Sequence, residues 1–227
     1  MKILALGDIH GHDKWQEIIE NETYDKVVFI GDYFDSFSVP VIDQVDNFYK
    51  ILEFKRSNPD NVILLCGNHD YHYTGLSRSQ CSGYKHSLHV NMEIALNKCI
   101  DNDEIVACYV HDNFIFTHAG LSKTWCLENN INSSITKVEE ELNSLFKNKK
   151  GAFDFVHSGD YYGNSIHQGP FWIRPESLHQ DKIDGIHIVG HTNNYKIKFV
   201  DNEYYVIDSL PYQYLVIDNG EVIIKDC

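Results

Sequence analysis

The chain has 227 residues and a mass of 26.3 kDa, the size of one domain. Hydrophobic residues make up 43% of it, which excludes a disordered or collagen-like chain. With 19 Lys and Arg against 33 Asp and Glu, the formal net charge is −14, so long nucleic acid is an unfavourable partner. We therefore expect a single folded domain over residues 1–227.

Cysteine usage and the apolar runs indicate the compartment. The six cysteines form no C-x-x-C pair, which argues against a thiolate zinc site or a redox motif. The first residues leave no room for the apolar core of a signal peptide, and no apolar run approaches the roughly 18 residues of a membrane span. These features predict a cytoplasmic protein with reduced thiols and no membrane partner.

Short apolar runs ending at a glycine predict buried strands. They cover residues 3–6, 27–30, 62–66 and 186–189. Runs of this length are too short for helices, and their near-continuous apolarity fits a sheet covered on both faces. Apolar residues at helical spacing predict helices over residues 12–21, 40–56, 86–100 and 134–147.

The last quarter of the chain has a different pattern. Residues 195–200, 204–208, 212–218 and 222–225 predict further strands, and Asn219-Gly220 is typical of a two-residue hairpin turn. We expect these strands to form an antiparallel meander. A βαβ part followed by a meander predicts an α/β (α+β) fold in which two sheets pack together with helices outside, rather than a Rossmann sheet.

Residues 147–169 are polar and rich in glycine, and they predict a surface loop near the functional site. The loop carries His157 and His167. Neither lies in a motif, so an exposed or hydrogen-bonded role is favoured for both, with lining of the site as the alternative.

Potential metal ligands follow the predicted strands and the apolar run 114–116. They are Asp8, His10, Asp32, Asn68, His118 and His191. Loops at the ends of strands in an α/β sheet gather ligands, so these side chains can converge. Imidazole and carboxylate without thiolate select manganese, iron or zinc, and a carboxylate can bridge two cations about 3.5 to 4 Å apart. This chemistry suits phosphoryl transfer.

The motifs G-D-I-H-G (residues 7–11), G-D-Y-F-D (31–35), G-N-H-D (67–70), T-H-A-G (117–120) and G-H-T (190–192) appear in this order. This series resembles the calcineurin-like metallophosphoesterase superfamily, in particular the phosphoprotein phosphatases and their bacterial and phage relatives, which include symmetrical diadenosine tetraphosphate hydrolases. The resemblance covers nearly the whole chain. It implies a two-sheet β-sandwich flanked by helices, in agreement with the strand pattern.

The resemblance also implies roles for individual residues. Asp8 and His10 would hold a first metal, Asp32 would bridge, and Asn68, His118 and His191 would hold a second. His69 would protonate the leaving alkoxide, oriented by Asp35. An acidic neighbour also suits a general acid that stays protonated near neutral pH.

Two features depart from the usual family pattern. Ser36 follows Asp35 where these phosphatases usually have a phosphate-gripping Arg, and Asn193 stands where many wider-superfamily members have a second His. The segment around Trp172 and Arg174 resembles the W-x-R segment of bacterial and phage members, which suggests Arg174 as a phosphate clamp. A guanidinium fork matches phosphate oxygens.

The sequence therefore predicts a phosphoric-monoester hydrolase with two divalent cations, manganese preferred and iron or zinc as alternatives, acting through a metal-bound hydroxide on a phosphorylated substrate. A protein Ser/Thr phosphatase is the leading hypothesis. The alternatives are a dinucleoside polyphosphate or nucleotide hydrolase, a polynucleotide phosphatase or nuclease, and a catalytically silent scaffold with the same fold.

Overall fold

The computed structural model describes residues 1–157 and 162–227, in which two five-stranded sheets pack together between helices. In chain order the strands are β1 (Lys2–Leu6), β2 (Lys26–Phe29), β3 (Val62–Leu64), β4 (Tyr109–His111), β5 (Phe114–Phe116), β6 (Ile186–Val189), β7 (Lys198–Val200), β8 (Tyr204–Val206), β9 (Gln213–Asp218) and β10 (Glu221–Asp226). The first sheet has the order β10-β9-β1-β2-β3 and the second the order β4-β5-β6-β8-β7. The predicted fold class is confirmed.

The helices cover the outer faces of the sheets. They are α1 (Lys14–Asn21), α2 (Val41–Ser57), α3 (Asn68–Tyr71), α4 (His86–Asp101), α5 (Lys123–Glu128), α6 (Val138–Asn148) and α7 (Pro175–Asp181), with short 3₁₀ helices at His72–Thr74 and Lys150–Phe153. The sequence predicts the four longest; α3, α5 and α7 have seven residues or fewer, too few to show a helical period. Helix α6 begins later than the predicted residue 134. Within the described residues, no helix is long and apolar enough to cross a membrane.

Both faces of the central strands are buried, which explains their continuous apolar runs. In β1, Ile3 and Ala5 face the core between the two sheets, while Leu4 and Leu6 face the helices. The same alternation holds in β2. Side chains alternate between the faces of a strand, so a strand buried on both sides needs apolar residues at every position.

The predicted antiparallel meander at the C-terminal end is wrong. The strands form two separate hairpins: β7 and β8 belong to the second sheet, and β9 and β10 belong to the first. Strand β8 lies parallel to β6, and β9 lies antiparallel to β1. Residues 207–210 are buried where the chain crosses from one sheet to the other. Apolar alternation specifies a strand but not the sheet that receives it.

The strands that carry the predicted ligands run in the same sense within each sheet. Strands β1, β2 and β3 are parallel neighbours, and so are β5, β6 and β8. Carboxyl ends of parallel strands meet at one edge of a sheet. The loops after these strands therefore bring their polar residues to the edge that the two sheets share.

The core between the sheets predicts a large stability effect at Phe116, which is fully buried there. Replacement by Ala leaves a cavity between packed sheets, and we expect Phe116→Ala to lower the free energy of unfolding by about 3 to 5 kcal/mol in urea titrations. Phe37 is 82% exposed, so Phe37→Ala is the control and should stay within about 0.5 kcal/mol of the parent. Equal losses in the two variants would contradict this packing.

A buried histidine predicts acid sensitivity of the fold. Burial lowers the pKa of His187 to about 4, and its Nε2–H donates to the carbonyl of Ile183 at 3.2 Å. Between about pH 6.5 and pH 4 the unfolded chain binds a proton at this residue that the folded chain does not, so stability falls as the pH drops through this window. His187→Gln should reduce the slope of unfolding free energy against pH there, as urea unfolding at stepped pH can show. An unchanged slope would exclude the role of His187.

Candidate metal centre and active site

The structure brings the predicted metal ligands together at the shared edge of the two sheets. Asp8 and His10 follow β1, Asp32 follows β2, and the remaining three follow β3, β5 and β6. Several of these turns are strained: His10, Asp32 and His191 have φ values of 39°, 51° and 64°. Non-glycine residues in the left-handed region persist only where their surroundings hold them, which is typical of functional sites.

Two glycines let the backbone come close to the buried carboxylates. A Cβ added at Gly67 would collide with Oδ1 of Asp32, and one added at Gly190 would collide with Oδ1 of Asp8. A side chain at either position would thus fill the space around the carboxylates. This explains why a glycine precedes the polar residues in these loops.

One group of ligand atoms surrounds Asp32. Its Oδ2 lies 3.8 Å from Nε2 of His10 and 3.4 Å from Nε2 of His118. Ligand atoms of Asp8, Asp32 and His118 all lie within 4.8 Å of one another. Asp32 therefore stands between the first predicted ligand group and the second, where a bridging carboxylate has to be.

A second group is centred on Asn68. Its Oδ1 lies 2.8 Å from Nε2 of His118 and 2.8 Å from Nδ1 of His191. The opposite imidazole nitrogens face backbone carbonyls: Nδ1 of His118 faces Ile30 O at 2.9 Å, and Nε2 of His191 faces Trp172 O at 3.1 Å. Because those nitrogens must donate to carbonyls, the nitrogens that face Asn68 carry lone pairs.

Three acceptor atoms thus converge at Asn68, an arrangement that a cation would stabilise. His10 follows the same rule, since its Nδ1 faces the carbonyl of Phe34 at 2.6 Å and leaves Nε2 toward Asp32. Histidines that bind metals usually donate their other N–H to a carbonyl or carboxylate. The residues present fit divalent metal ions with nitrogen and oxygen ligands.

Burial shapes the protonation of this cluster. Burial, together with nearby carboxylates, raises the pKa values of Asp8 and Asp32, and burial lowers the pKa of His118 to about 3. The imidazole of His118 is therefore neutral at pH 7 and available as a ligand. Closely packed buried carboxylates repel one another, which a bound cation would relieve.

The predicted acid–base pair is present beside the cluster. Nδ1 of His69 lies 2.9 Å from Oδ2 of Asp35, and Asp35 is 2% exposed. Burial opposes ionisation of Asp35, but the close donor groups of His69, His72 and Tyr73 outweigh it and hold its pKa at about 2. For His69, burial lowers the pKa, and this effect exceeds the raising effect of Asp35 that the sequence predicts.

A cavity of about 180 Å³ joins the predicted acid–base pair to two of the candidate metal ligands and the predicted clamp. Its lining residues are Asn68, His69, Cys81, Ser82, Phe155, Tyr162, Trp172, Arg174 and His191. Nδ1 of His69 contacts Asp35, so Nε2 is the nitrogen that remains for a substrate. The cavity has room for a phosphoryl group between the imidazole of His69 and the guanidinium of Arg174.

Arg174 is the arginine of this cavity. Its Nε donates to Tyr162 O at 2.9 Å, and its Nη1 donates to His191 O at 2.9 Å. Arg56 and Arg78 instead pair with acidic residues away from the cavity. Among the residues that the structure describes, no carboxylate lies within hydrogen-bonding distance of Arg174, which suits a phosphate clamp.

Ser36, which stands where related phosphatases usually carry Arg, has a local role. Its Oγ accepts the backbone N–H groups of Ser38 at 3.2 Å and Val39 at 3.1 Å. The side chain therefore shapes the turn before α2 rather than facing the cavity.

Sequence reasoning assigned no role to Asp70 or Asp208. The carboxylate of Asp70 is fully buried and accepts backbone N–H groups from Asp32, Tyr33 and Gly67 at 2.7 to 2.8 Å. It ties the loop after β2 to the loop after β3. Its place directly after His69 in the 67–70 motif is the feature that could have drawn attention to it.

Asp208 adds a further buried carboxylate at the candidate metal centre. It follows β8, is 4% exposed, lies within hydrogen-bonding reach of Asp8 and accepts the side-chain N–H of Asn193 at 3.3 Å. Burial raises its pKa. The predicted antiparallel meander gave no reason to place Asp208 at the site. Its strand, β8, lies parallel to β6, so the two strands end at the same edge of the sheet.

The loop predicted near the site contributes Phe155 and Tyr162 to the cavity. His157 instead contacts Ser79 Oγ at 3.1 Å, and His167 contacts Glu128 at 2.7 Å, so neither reaches the cavity. Residues 158–161 of this loop lie outside the described residues.

Two packed mixed sheets with buried imidazoles and carboxylates at their common edge define a metallophosphoesterase architecture. Residues 1–195 match the sequence profile of the family described as calcineurin-like phosphoesterase, and the chain belongs to this family. The family expected from the motifs is confirmed.

Similar proteins agree with this assignment. The symmetrical bis(5'-nucleosyl)-tetraphosphatase of Nitrosospira multiformis is 26% identical over 140 residues, which are 56% of this chain and 46% of that protein. This chain thus spans about half the length of that curated relative.

Solved structures share the fold. A cold-active protein-tyrosine phosphatase of a Shewanella species has a TM-score of 0.63 at 18% identity, over 99% of this chain and 77% of that one. A protein serine/threonine phosphatase of Saccharomyces cerevisiae has a TM-score of 0.61 at 13% identity, over 99% of this chain and 79% of that one.

Proposed function

We propose that the protein is a metal-dependent phosphoric-monoester hydrolase that works in the cytoplasm, with residues 1–227 as one domain. The observation that carries the proposal is the convergence of lone-pair atoms around Asp32 and Asn68 beside a cavity that also holds His69 and Arg174. A scaffold would have no need for an acid–base pair and an arginine in the same cavity. The complete set favours an enzyme.

The ligand set supports two divalent cations, with manganese preferred and iron or zinc as alternatives. Asp8 and His10 would hold one cation, Asn68, His118 and His191 the other, and Asp32 would contact both. When bound, the cations supply positive charge for the phosphate oxygens and lower the pKa of an attacking water. No cysteine is needed, which agrees with a nitrogen and oxygen donor set.

The chain's own residues would bind the phosphate and move the proton. Arg174 would hold non-bridging oxygens through its guanidinium, and Nε2 of His69 would give its proton to the leaving oxygen. A phosphate dianion in the cavity places negative charge beside His69, which raises the pKa of the imidazole. Substrate binding would therefore oppose the lowering effect of burial on the pKa of His69 and favour its protonation.

We favour phosphoseryl and phosphothreonyl groups of proteins as the substrate, because the motif order resembles the phosphoprotein phosphatase branch. The second candidate is a dinucleoside polyphosphate, which the Nitrosospira multiformis relative supports. Turnover of a phosphopeptide panel compared with diadenosine tetraphosphate separates them. A kcat/KM at least about tenfold higher for the best phosphopeptide supports the first, and the reverse supports the second.

The proposal is tested by metal removal and replacement. The metal-stripped protein is refilled separately with manganese, zinc and magnesium and assayed on p-nitrophenyl phosphate and bis-p-nitrophenyl phosphate. We expect manganese-dependent hydrolysis of the monoester. A preference for the diester would indicate a phosphodiesterase instead, and stoichiometric metal binding without turnover of either ester would indicate a scaffold.

A further inference from the structure

The carboxylate of Asp35 has more partners than the orientation of one imidazole requires. Besides His69, it accepts the hydroxyl of Tyr73 on Oδ1 at 2.6 Å, and Nε2 of His72 lies 2.7 Å from Oδ2. The side chains of Asp35 and His72 are both fully buried. Three donor groups around a buried carboxylate keep it ionised and hold its orientation.

The tautomer of His72 follows from its other nitrogen. The backbone N–H of Cys81 donates to Nδ1 of His72 at 3.0 Å, so Nδ1 carries a lone pair and the proton of the neutral ring is on Nε2, facing Asp35. The N–H direction departs from the line to Oδ2, so this contact is a close charge–dipole contact rather than an aligned hydrogen bond.

This tautomer also decides between two uses of the cluster. Ligand atoms of Asp35, His69 and His72 lie within 4.8 Å of one another, a composition that suits a metal ion. A metal on Nε2 of His72 would need a lone pair there, but Nδ1 already accepts a backbone N–H, and a neutral imidazole has one lone pair to offer. The cluster is therefore a hydrogen-bonding group around Asp35.

The local fold places His72 beside Asp35. Helix α3 continues directly into the 3₁₀ helix His72–Thr74, so His69 and His72 share one side of the turn, and their rings lie 5.6 Å apart. The ring of His72 packs edge-on against Tyr73 at 4.3 Å and Tyr84 at 5.0 Å. Aromatic packing on two sides leaves the imidazole little freedom to rotate.

We propose that His72 is a positioning residue for the reaction: with Tyr73, it holds the carboxylate of Asp35 in place against His69, so that the proton donor faces the leaving group. The proposal rests on the proposed role of His69 as proton donor. It requires His72 to act through Asp35 and not to touch the substrate, and His72 accordingly does not line the cavity.

Two isosteric variants separate the two nitrogens of His72. His72→Gln places an amide nitrogen near the position of Nε2 and keeps the donor toward Asp35. His72→Asn keeps an acceptor near Nδ1 for Cys81 but loses that donor. Tyr73→Phe removes the second donor independently. His89→Asn is the control, because His89 packs against Tyr73 and Tyr84 without contacting Asp35.

The measurement is kcat/KM of the manganese-loaded protein on an alkyl phosphate and on p-nitrophenyl phosphate. A leaving alkoxide needs the proton and an activated aryloxide does not, so His72→Asn and Tyr73→Phe should lose about tenfold more on the alkyl ester than on the aryl ester. His72→Gln and His89→Asn should keep the ratio of the parent within about twofold.

Two outcomes would overturn the proposal. Equal losses on both esters in His72→Asn and Tyr73→Phe would reduce His72 to a structural residue. A loss in His72→Gln as selective as that in His72→Asn would show that the donor toward Asp35 is irrelevant. The same assay measures the parent protein. Absence of hydrolysis by the parent would contradict the proposed function, whereas the variants test the role of His72.

Discussion

Asp32→Asn is expected to abolish metal-dependent hydrolysis and to reduce the number of cations that the protein binds. Oδ2 of Asp32 lies between Nε2 of His10 and Nε2 of His118, at 3.8 and 3.4 Å. Asn keeps the shape and can still accept the backbone N–H of His69, which lies 2.8 Å from Oδ1, but it removes the charge that both cations would share. Loss of a partner outside the ligand shell already costs about 10- to 100-fold, so we expect a loss of at least about 100-fold here.

The measurement combines manganese titration calorimetry with turnover of p-nitrophenyl phosphate. Manganese should raise the melting temperature of the parent more than that of the variant, because a ligand stabilises the state that binds it. Asp181→Asn is the control: Asp181 accepts the backbone N–H of Thr124 at 2.9 Å, away from the ligand atoms. Unchanged stoichiometry and turnover in Asp32→Asn would remove Asp32 from the metal centre.

The convergence of the candidate ligands could be predicted from the sequence because each of them follows a strand end that local features specify. A short apolar run, a glycine and a polar residue specify a strand end, and a strand that is apolar on both faces has to be covered on both faces. Five such ends lie at the edge that the two sheets share, and there His118 and His191 join Asp32 and Asn68.

Residues whose role depends on strand order or on the path of a turn could not be predicted in this way. Asp208 reaches the site because β8 lies beside β6, and no local pattern distinguishes this order from a meander. His72 reaches Asp35 because α3 continues as a 3₁₀ helix and because Cys81 fixes its tautomer. The pairing of β8 with β6 joins segments that are distant in sequence. The 3₁₀ helix that carries His72 is too short to show a helical period in the sequence.

His69→Asn is expected to slow hydrolysis most for substrates whose leaving group has to be protonated as it departs. Nδ1 of His69 is held by Asp35 at 2.9 Å, so Nε2 faces the cavity and can donate a proton there once the ring is protonated. General acid catalysis contributes about 10²- to 10⁴-fold when the leaving oxygen is a poor leaving group. Turnover of an alkyl phosphate should therefore fall by at least about 100-fold in the His69→Asn variant, while turnover of p-nitrophenyl phosphate should fall by less than about tenfold, since a nitrophenolate leaves without a proton.

The control for this variant is His167→Asn, since His167 pairs with Glu128 at 2.7 Å outside the cavity and should change neither rate. The ratio of the two rates is the informative quantity, because a general loss of metal or of folded protein lowers both rates equally and leaves the ratio unchanged. A ratio in His69→Asn equal to that of the parent would assign His69 to phosphate binding alone, and the proton for the leaving group would then have to come from solvent.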